Sequence, residues 1–108
     1  MNIRAEDLSN IVLESLKSIF SNRIAESEFS SAMKILGLQY KDVNGNVEVV
    51  DSLDLVEIVA NIESNIMKHK GIDVQIVTEE LLTKGMTVLD SVETIAEYIL
   101  EILRSNDE

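Results

Sequence analysis

Residues 52–69 read SLDLVEIVANIESNIMKH. Leu55, Ile58, Val59, Ile62 and Ile66 recur at i, i+3, i+4, i+7 and i+11, which is one apolar stripe along a long helix. Lys68 and Lys70 fall at its C-terminal end, where cations complement the helix dipole, and Gly71 suits the position that closes it. Opposite the stripe stand Asp54, Glu57, Asn61 and Ser64, bordered by Leu53 and Ala60. No basic residue occurs between Lys41 and Lys68, whereas Asp42, Glu48, Asp51, Asp54, Glu57 and Glu63 do. The spacing therefore predicts a helix with one buried apolar face and one exposed acidic face. By itself, an acidic face is an ordinary solvated surface.

The same periodicity extends outward from this helix. Residues 5–20 (AEDLSNIVLESLKSIF) place Leu8, Ile11, Val12, Leu16, Ile19 and Phe20 at helical spacing, with Glu6 and Asp7 in the first turn. Residues 87–104 (TVLDSVETIAEYILEILR) carry an inner stripe of Val88, Val92, Ile95, Ile99 and Ile102. Thr87 and Asp90 resemble a capping box with Asp in place of Glu. A short helix is expected over residues 78–84 (TEELLTK), capped by Thr78 and stopped by Gly85. Another is expected over about 26–36, where Phe29, Met33 and Leu36 share a face and Gly37 ends it. Residues 38–50 (LQYKDVNGNVEVV) admit two readings. One is a hairpin turning on Asn44-Gly45, with Lys41 facing Glu48 and Tyr40 facing Val49. The other is an irregular loop. There is no internal repeat or linker, and residues 105–108 read as a frayed tail. The expectation is a single all-α domain over 1–108, a four-helix bundle with an elaborated connection between its first two long helices.

Composition narrows the function. The chain has 108 residues, 45% apolar and 27% charged, which is a globular balance. Twenty acids against nine bases give a net charge of −11. Such a chain is a poor ligand for nucleic acid or anionic membrane and a good one for a basic protein surface. The absence of Cys excludes disulfides, thiolate metal sites and Cys nucleophiles, and a single His excludes a His-pair metal site. No signal-peptide pattern or membrane-spanning apolar run is visible, so a cytoplasmic monomer is expected.

Residues 51–57, Asp-Ser-Leu-Asp-Leu-Val-Glu, carry the remaining signal. They resemble the D-S-L-D-x-V-E signature of acyl carrier proteins, matching at Asp51, Ser52, Leu53, Asp54, Val56 and Glu57. The likeness continues through Ile76-Val77-Thr78-Glu79-Glu80, similar to the family's I-P-x-E-E, and through Thr87-Val88, Val92, Tyr98 and Ile99 in the last helix. It covers 51–103 well and the first helix loosely. Departures are Val49 where the family usually has Gly, Val77 where it has Pro, a longer segment before Asp51, and the added Lys68-His69-Lys70-Gly71.

The resemblance implies that Ser52 receives 4′-phosphopantetheine from coenzyme A, delivered by a phosphopantetheinyl transferase that largely supplies the Mg²⁺. The arm would hold an acyl group as a thioester for fatty-acid, lipid or polyketide-type synthesis. Partner enzymes with basic surfaces would dock on Asp51, Leu53, Asp54, Glu57 and Ala60. Val56, Val59, Ile62 and Ile66 would both fill the core and open to shelter the acyl chain. The chain itself would not be an enzyme. A peptidyl or aminoacyl carrier, or an acidic interaction module of the same fold without an arm, are the rival readings. A helix N-terminus fits the chemistry, because its backbone N–H groups favour a nearby phosphate, whereas Asp51 and Asp54 would repel a free one.

Other candidates are weaker. Asp90-Ser91 repeats the Asp-Ser pair, but a helix capped at Thr87 would put Ser91 inside its first turns rather than at its start. Asp42-Val43-Asn44-Gly45-Asn46 looks like the start of a calcium loop, but Val47 and Leu53 stand where an EF-hand needs Gly and Glu. His69 reads as a solvated helix-end residue.

Overall fold

A computed structural model describes residues 3–20, 23–30, 32–35, 37–76 and 89–106. Among the described residues three α-helices frame it: α1 (Ala5–Phe20), α2 (Ser52–Lys70) and α3 (Val92–Asn106). Helix α1 packs against both α2 and α3. Most of the expected stripes are buried: Leu8, Val12 and Leu16 from α1, Leu55, Ile58, Val59, Ile62 and Ile66 from α2, and Val92, Ile95 and Ile99 from α3, whereas Ile19 and Ile102 are only partly buried. The residues 78–84 expected as a short helix, and Thr87, lie outside the described residues.

The pairing of α1 with α2 is antiparallel and carries a polar seam. The Ser15 hydroxyl is buried, donates to the Ile11 carbonyl at 2.9 Å and accepts from Asn65 Nδ2 at 2.8 Å. Asn61 Nδ2 donates to the Ser15 carbonyl at 3.2 Å. One turn beyond Asn65, His69 Nε2 meets Glu14 Oε2 at 2.9 Å. Asn61 is therefore half-buried and bonded across the helix pair. It does not share the solvated acidic face on which its spacing had put it.

The chain is mostly helical, but the expectation of an all-α fold is corrected in the connection between α1 and α2. Strands β1 (Gln39–Lys41) and β2 (Val47–Val49) form an antiparallel ribbon there. Of the two readings for 38–50 the hairpin is realised, one residue out of the expected register. Gln39 pairs with Val49, Tyr40 with Glu48 and Lys41 with Val47. The shift follows from the turn. Asp42 N–H donates to the Asn46 carbonyl at 2.9 Å, so the loop holds three residues rather than two, with Gly45 at φ 84°. A three-residue hairpin loop needs a left-handed residue there, which Gly adopts without cost.

The described residues of 26–36 do not form the expected helix, and Leu36 lies outside them. A single 3₁₀ turn spans Glu26–Glu28, and Met33–Ile35 is extended. Met33 and Ile35 are buried with Lys34 exposed between them, the alternation of a strand. Lys34 bridges to Ser91: Ile35 N–H donates to the Asp90 carbonyl at 2.6 Å, and Val92 N–H donates to the Met33 carbonyl at 3.2 Å. This bridge also explains why α3 starts at Val92 rather than at residue 87. Asp90 and Val92 use their backbone groups on residues 33–35, so the helix cannot extend back through them. Ser91 is the cap: Thr94 N–H donates to the Ser91 hydroxyl at 3.2 Å, and Ser91 N–H donates to Thr94 Oγ1 at 3.0 Å. At the other end α3 continues through Asn106, into the expected tail.

The turn of the ribbon is organised by one carboxylate. Asp42 Oδ1 accepts from Asn44 N–H at 2.8 Å and Asn46 N–H at 2.9 Å. The bond from the Asn46 backbone, followed by that from Asn44, holds the Asp42 carboxyl below its ordinary value. A lowered folded-state value stabilises the loop above the ordinary 3.8, and that contribution is lost as pH falls through the lower value. Amide protection at Asn44 and Asn46 is expected to drop below that range in the wild type and to be low at every pH in Asp42→Ala. Hydrogen exchange that ignores both changes would remove Asp42 as the organiser of the turn.

Candidate functional site

The start of α2 is fixed by a reciprocal cap. Asp51 is extended, at φ −110° and ψ −172°, and its Oδ1 accepts from Asp54 N–H at 2.9 Å. Asp54 Oδ2 in turn accepts from Asp51 N–H at 3.1 Å. Leu55 N–H donates to the Asp51 carbonyl at 3.0 Å, the first intrahelical bond. Ser52 is thereby the first residue of the helix. Helix geometry leaves the N–H groups of Ser52 and Leu53 pointing out of the first turn with no intrahelical partner. Such N–H groups at a helix start favour a nearby anion.

The cap is tied to the ribbon on one side and to α1 on the other. The Tyr40 hydroxyl donates to Asp54 Oδ2 at 3.4 Å, and the Tyr40 ring lies 5.0 Å from that of Phe20 at a tilt of 48°. Burial, and then the neighbouring Asp54 carboxylate, push the Tyr40 phenol above its ordinary value. Just before the cap, Val50 is buried, donates its N–H to the Leu38 carbonyl at 2.9 Å and accepts from Gly37 N–H at 3.2 Å. Asp54 therefore differs from the other acids named for docking. It is half-buried and one of its oxygens is shared by two donors, whereas Asp51 and Glu57 are exposed.

The outward face of α2 is apolar at its centre and acidic at its edge. Leu53 is 78% exposed and Val56 52%, and Ala60 completes an exposed row at i, i+3 and i+7, with Glu57 beside it. Val56 is thus a surface residue, which corrects its placement in the core. Leu55 takes that core position, because the buried stripe runs 55, 58, 59, 62, 66. Val59, Ile62 and Ile66 are buried as expected. Gly71 closes the helix in the left-handed region at φ 68°, its N–H bonded to the Met67 carbonyl at 2.9 Å.

Ser91 stands at a helix start, not within the first turns, so the reason for setting it aside changes. Its hydroxyl is occupied as the cap of α3, within 3.2 Å of both Thr94 N and Thr94 Oγ1. His69 is half-exposed and paired with Glu14, a partner 55 residues away in sequence that spacing could not name. Among the described residues no group of three His, Cys, Asp or Glu is placed to hold a metal ion, and no helix is long and apolar enough to cross a membrane. Comparison with models of known protein families, with curated proteins and with solved structures finds no match.

Removing the cap by Asp51→Ala is expected to cost about 1 kcal/mol in urea unfolding. The Tyr40 titration supplies a second check, read at 295 nm in a Tyr98→Phe background. Asp54→Asn should lower the Tyr40 value while leaving the part due to burial. Because the folded value is raised, the associated stability is complete below 10 and lost as pH rises through it. A Tyr40 titration indifferent to Asp54→Asn would contradict the contact.

Proposed function

We propose that this chain is an acyl carrier protein, with Ser52 the attachment point for 4′-phosphopantetheine. The observation that carries the reading is the coincidence of motif and geometry: Asp-Ser-Leu-Asp opens a helix with Ser52 at its first position. Asp51 and Asp54 cap each other on either side of that serine, and Leu53 projects into solvent beside it. The finer architecture, a four-helix bundle of the carrier type, belongs to the same proposal. When attached, the arm supplies a terminal thiol that holds a carboxylic group as a thioester, and the polypeptide, with no Cys, brings no competing thiol.

The chain's own residues do three things in this scheme. The cap holds Ser52 in one backbone geometry for the transferase. Leu53, Val56 and Ala60 offer an apolar row that a partner enzyme can cover, and Asp51 and Glu57 flank it with negative charge. Val59, Ile62 and Ile66 hold the helix to the core. The partners are a phosphopantetheinyl transferase and acyl-loading or acyl-transferring enzymes with basic docking surfaces. The chain is a cytoplasmic, monomeric carrier rather than an enzyme in this reading.

Incubation with coenzyme A, Mg²⁺ and a broad-specificity phosphopantetheinyl transferase should add one phosphopantetheine to the intact mass. Ser52→Ala should abolish the gain and Ser91→Ala should leave it. A folded chain that gains nothing beside a modified control carrier would leave the acidic interaction module as the reading. Glu57→Lys is the docking probe of choice, because Asp54 also maintains the cap. It should slow modification severalfold at low salt and progressively less as salt screens the contact. A slowing that salt leaves unchanged would contradict electrostatic docking at this face.

A further inference from the structure

The connection between α1 and α2 borders an open groove of about 840 Å³, within the roughly 300–1,000 Å³ of small-molecule sites. Its apolar lining includes Ile24, Met33, Leu38 and Tyr40. Its polar lining is unexpected for a chain of net charge −11: Arg23, Lys34 and Lys41, three of the nine bases, are among its lining residues, as is Glu28. Backbone bonds hold the segments that bear them: Lys41 N–H donates to the Arg23 carbonyl at 3.3 Å, and Lys34 bridges to Ser91. Among the described residues none of the three forms an ion pair. The groove is linked by hydrogen bonds to the start of α2. Its wall at Gly37 and Leu38 is hydrogen-bonded to Val50, two residues before Ser52, and Tyr40 reaches from the groove to Asp54.

We infer that this groove binds an acyl chain ending in a carboxylate, the apolar side chains taking the methylenes and Arg23, Lys34 and Lys41 the acid. Resting on the carrier reading, the inference names the cargo class: a dicarboxylic acid whose first carboxyl is the thioester and whose second is free. Arg23 supplies the planar fork that suits a carboxylate, and the two lysines add charge. The site lies in the extra segment before Asp51 and is separate from the α2 core residues Val59, Ile62 and Ile66.

The test uses the full chain with Ser52 unmodified. Monomethyl decanedioate, whose ester stands in for the thioester end, is titrated and amide shifts are followed by NMR. Saturable shifts are expected at Arg23, Lys34 and Leu38–Lys41. Binding should weaken at least about tenfold in the triple variant Arg23→Gln, Lys34→Gln, Lys41→Gln, in line with the loss of three exposed charge contacts. The uncharged dimethyl ester should bind the wild type no better than the monoester binds the triple variant. Shifts confined to the α2 core, no saturable binding, or equal affinity in the folded triple variant would each overturn the inference. If the triple variant is not folded by circular dichroism, single Lys34→Gln and Lys41→Gln variants replace it, each expected to weaken binding measurably. Loading of Ser52 is scored separately by mass. A chain that loads but does not bind the monoester overturns only the groove. A chain that binds it but never loads overturns the carrier reading and the cargo assignment with it.

Discussion

The reciprocal bond between Asp51 and Asp54 is the constraint on which the rest of the molecule turns. It decides where α2 begins, and so which residue is Ser52's structural position and which side chains of α2 face the core. Moving the start by one residue would rotate the helix's assignments by about a quarter turn, roughly 100°. Leu53 would no longer stand clear of the core. The same two carboxylates are also where the ribbon and α1 converge, through Tyr40 and Phe20. An acid that looks like a docking charge in sequence is, at Asp54, a structural junction first.

The two halves of the chain use different means to hold their shape. The helices are held by apolar stripes and by the seam of Ser15, Asn61 and Asn65. Each buried polar atom in that seam has a partner, so it adds direction to the α1–α2 contact without an unpaired cost. The connection before Asp51 has fewer apolar residues and relies on backbone bonds instead. The bridge at Lys34–Ser91, the ribbon, the Val50–Leu38 bond and the Asp42 turn close it onto the bundle. This division leaves a concave space in the connection, bordered by bases, while the acidic and apolar face of α2 remains free on the outside. A carrier needs both an accessible attachment point and somewhere to shelter what it carries.

Much of this was legible from residues alone, and the rest was hidden for definite reasons. The extents of α1 and α2, the closing Gly71 and the cap at Asp51 follow from local signals that no distant contact overrides. The expected helix over 26–36 failed because Phe29 and Met33 permit a helical face, but Met33 and Ile35 equally permit a strand. A bridge to Asp90 and Val92, more than fifty residues away, decides between them. The same bridge puts the cap of α3 at Ser91 rather than at the expected Thr87. The hairpin was visible in Asn44-Gly45, but its register was set by Asp42, which spends its carboxylate on the turn and lengthens the loop by one residue. Val56 was misplaced because a family signature marks it without saying which way it faces; the period of the neighbouring stripe did. Asn61 and Asn65, spaced by four on the flank of that stripe, were a readable hint of the seam. That Arg23, Lys34 and Lys41 line one groove had no such hint, since the path of the connection depends on tertiary bonds.

The most direct test of the carrier account is the state of the protein in its own cells. Isolated without added enzyme and digested, it should yield a peptide containing Ser52 that carries phosphopantetheine, with fragmentation assigning the group to that residue. A Ser52 peptide found wholly unmodified in cells that make the protein, or the group assigned to Ser91, would contradict the account.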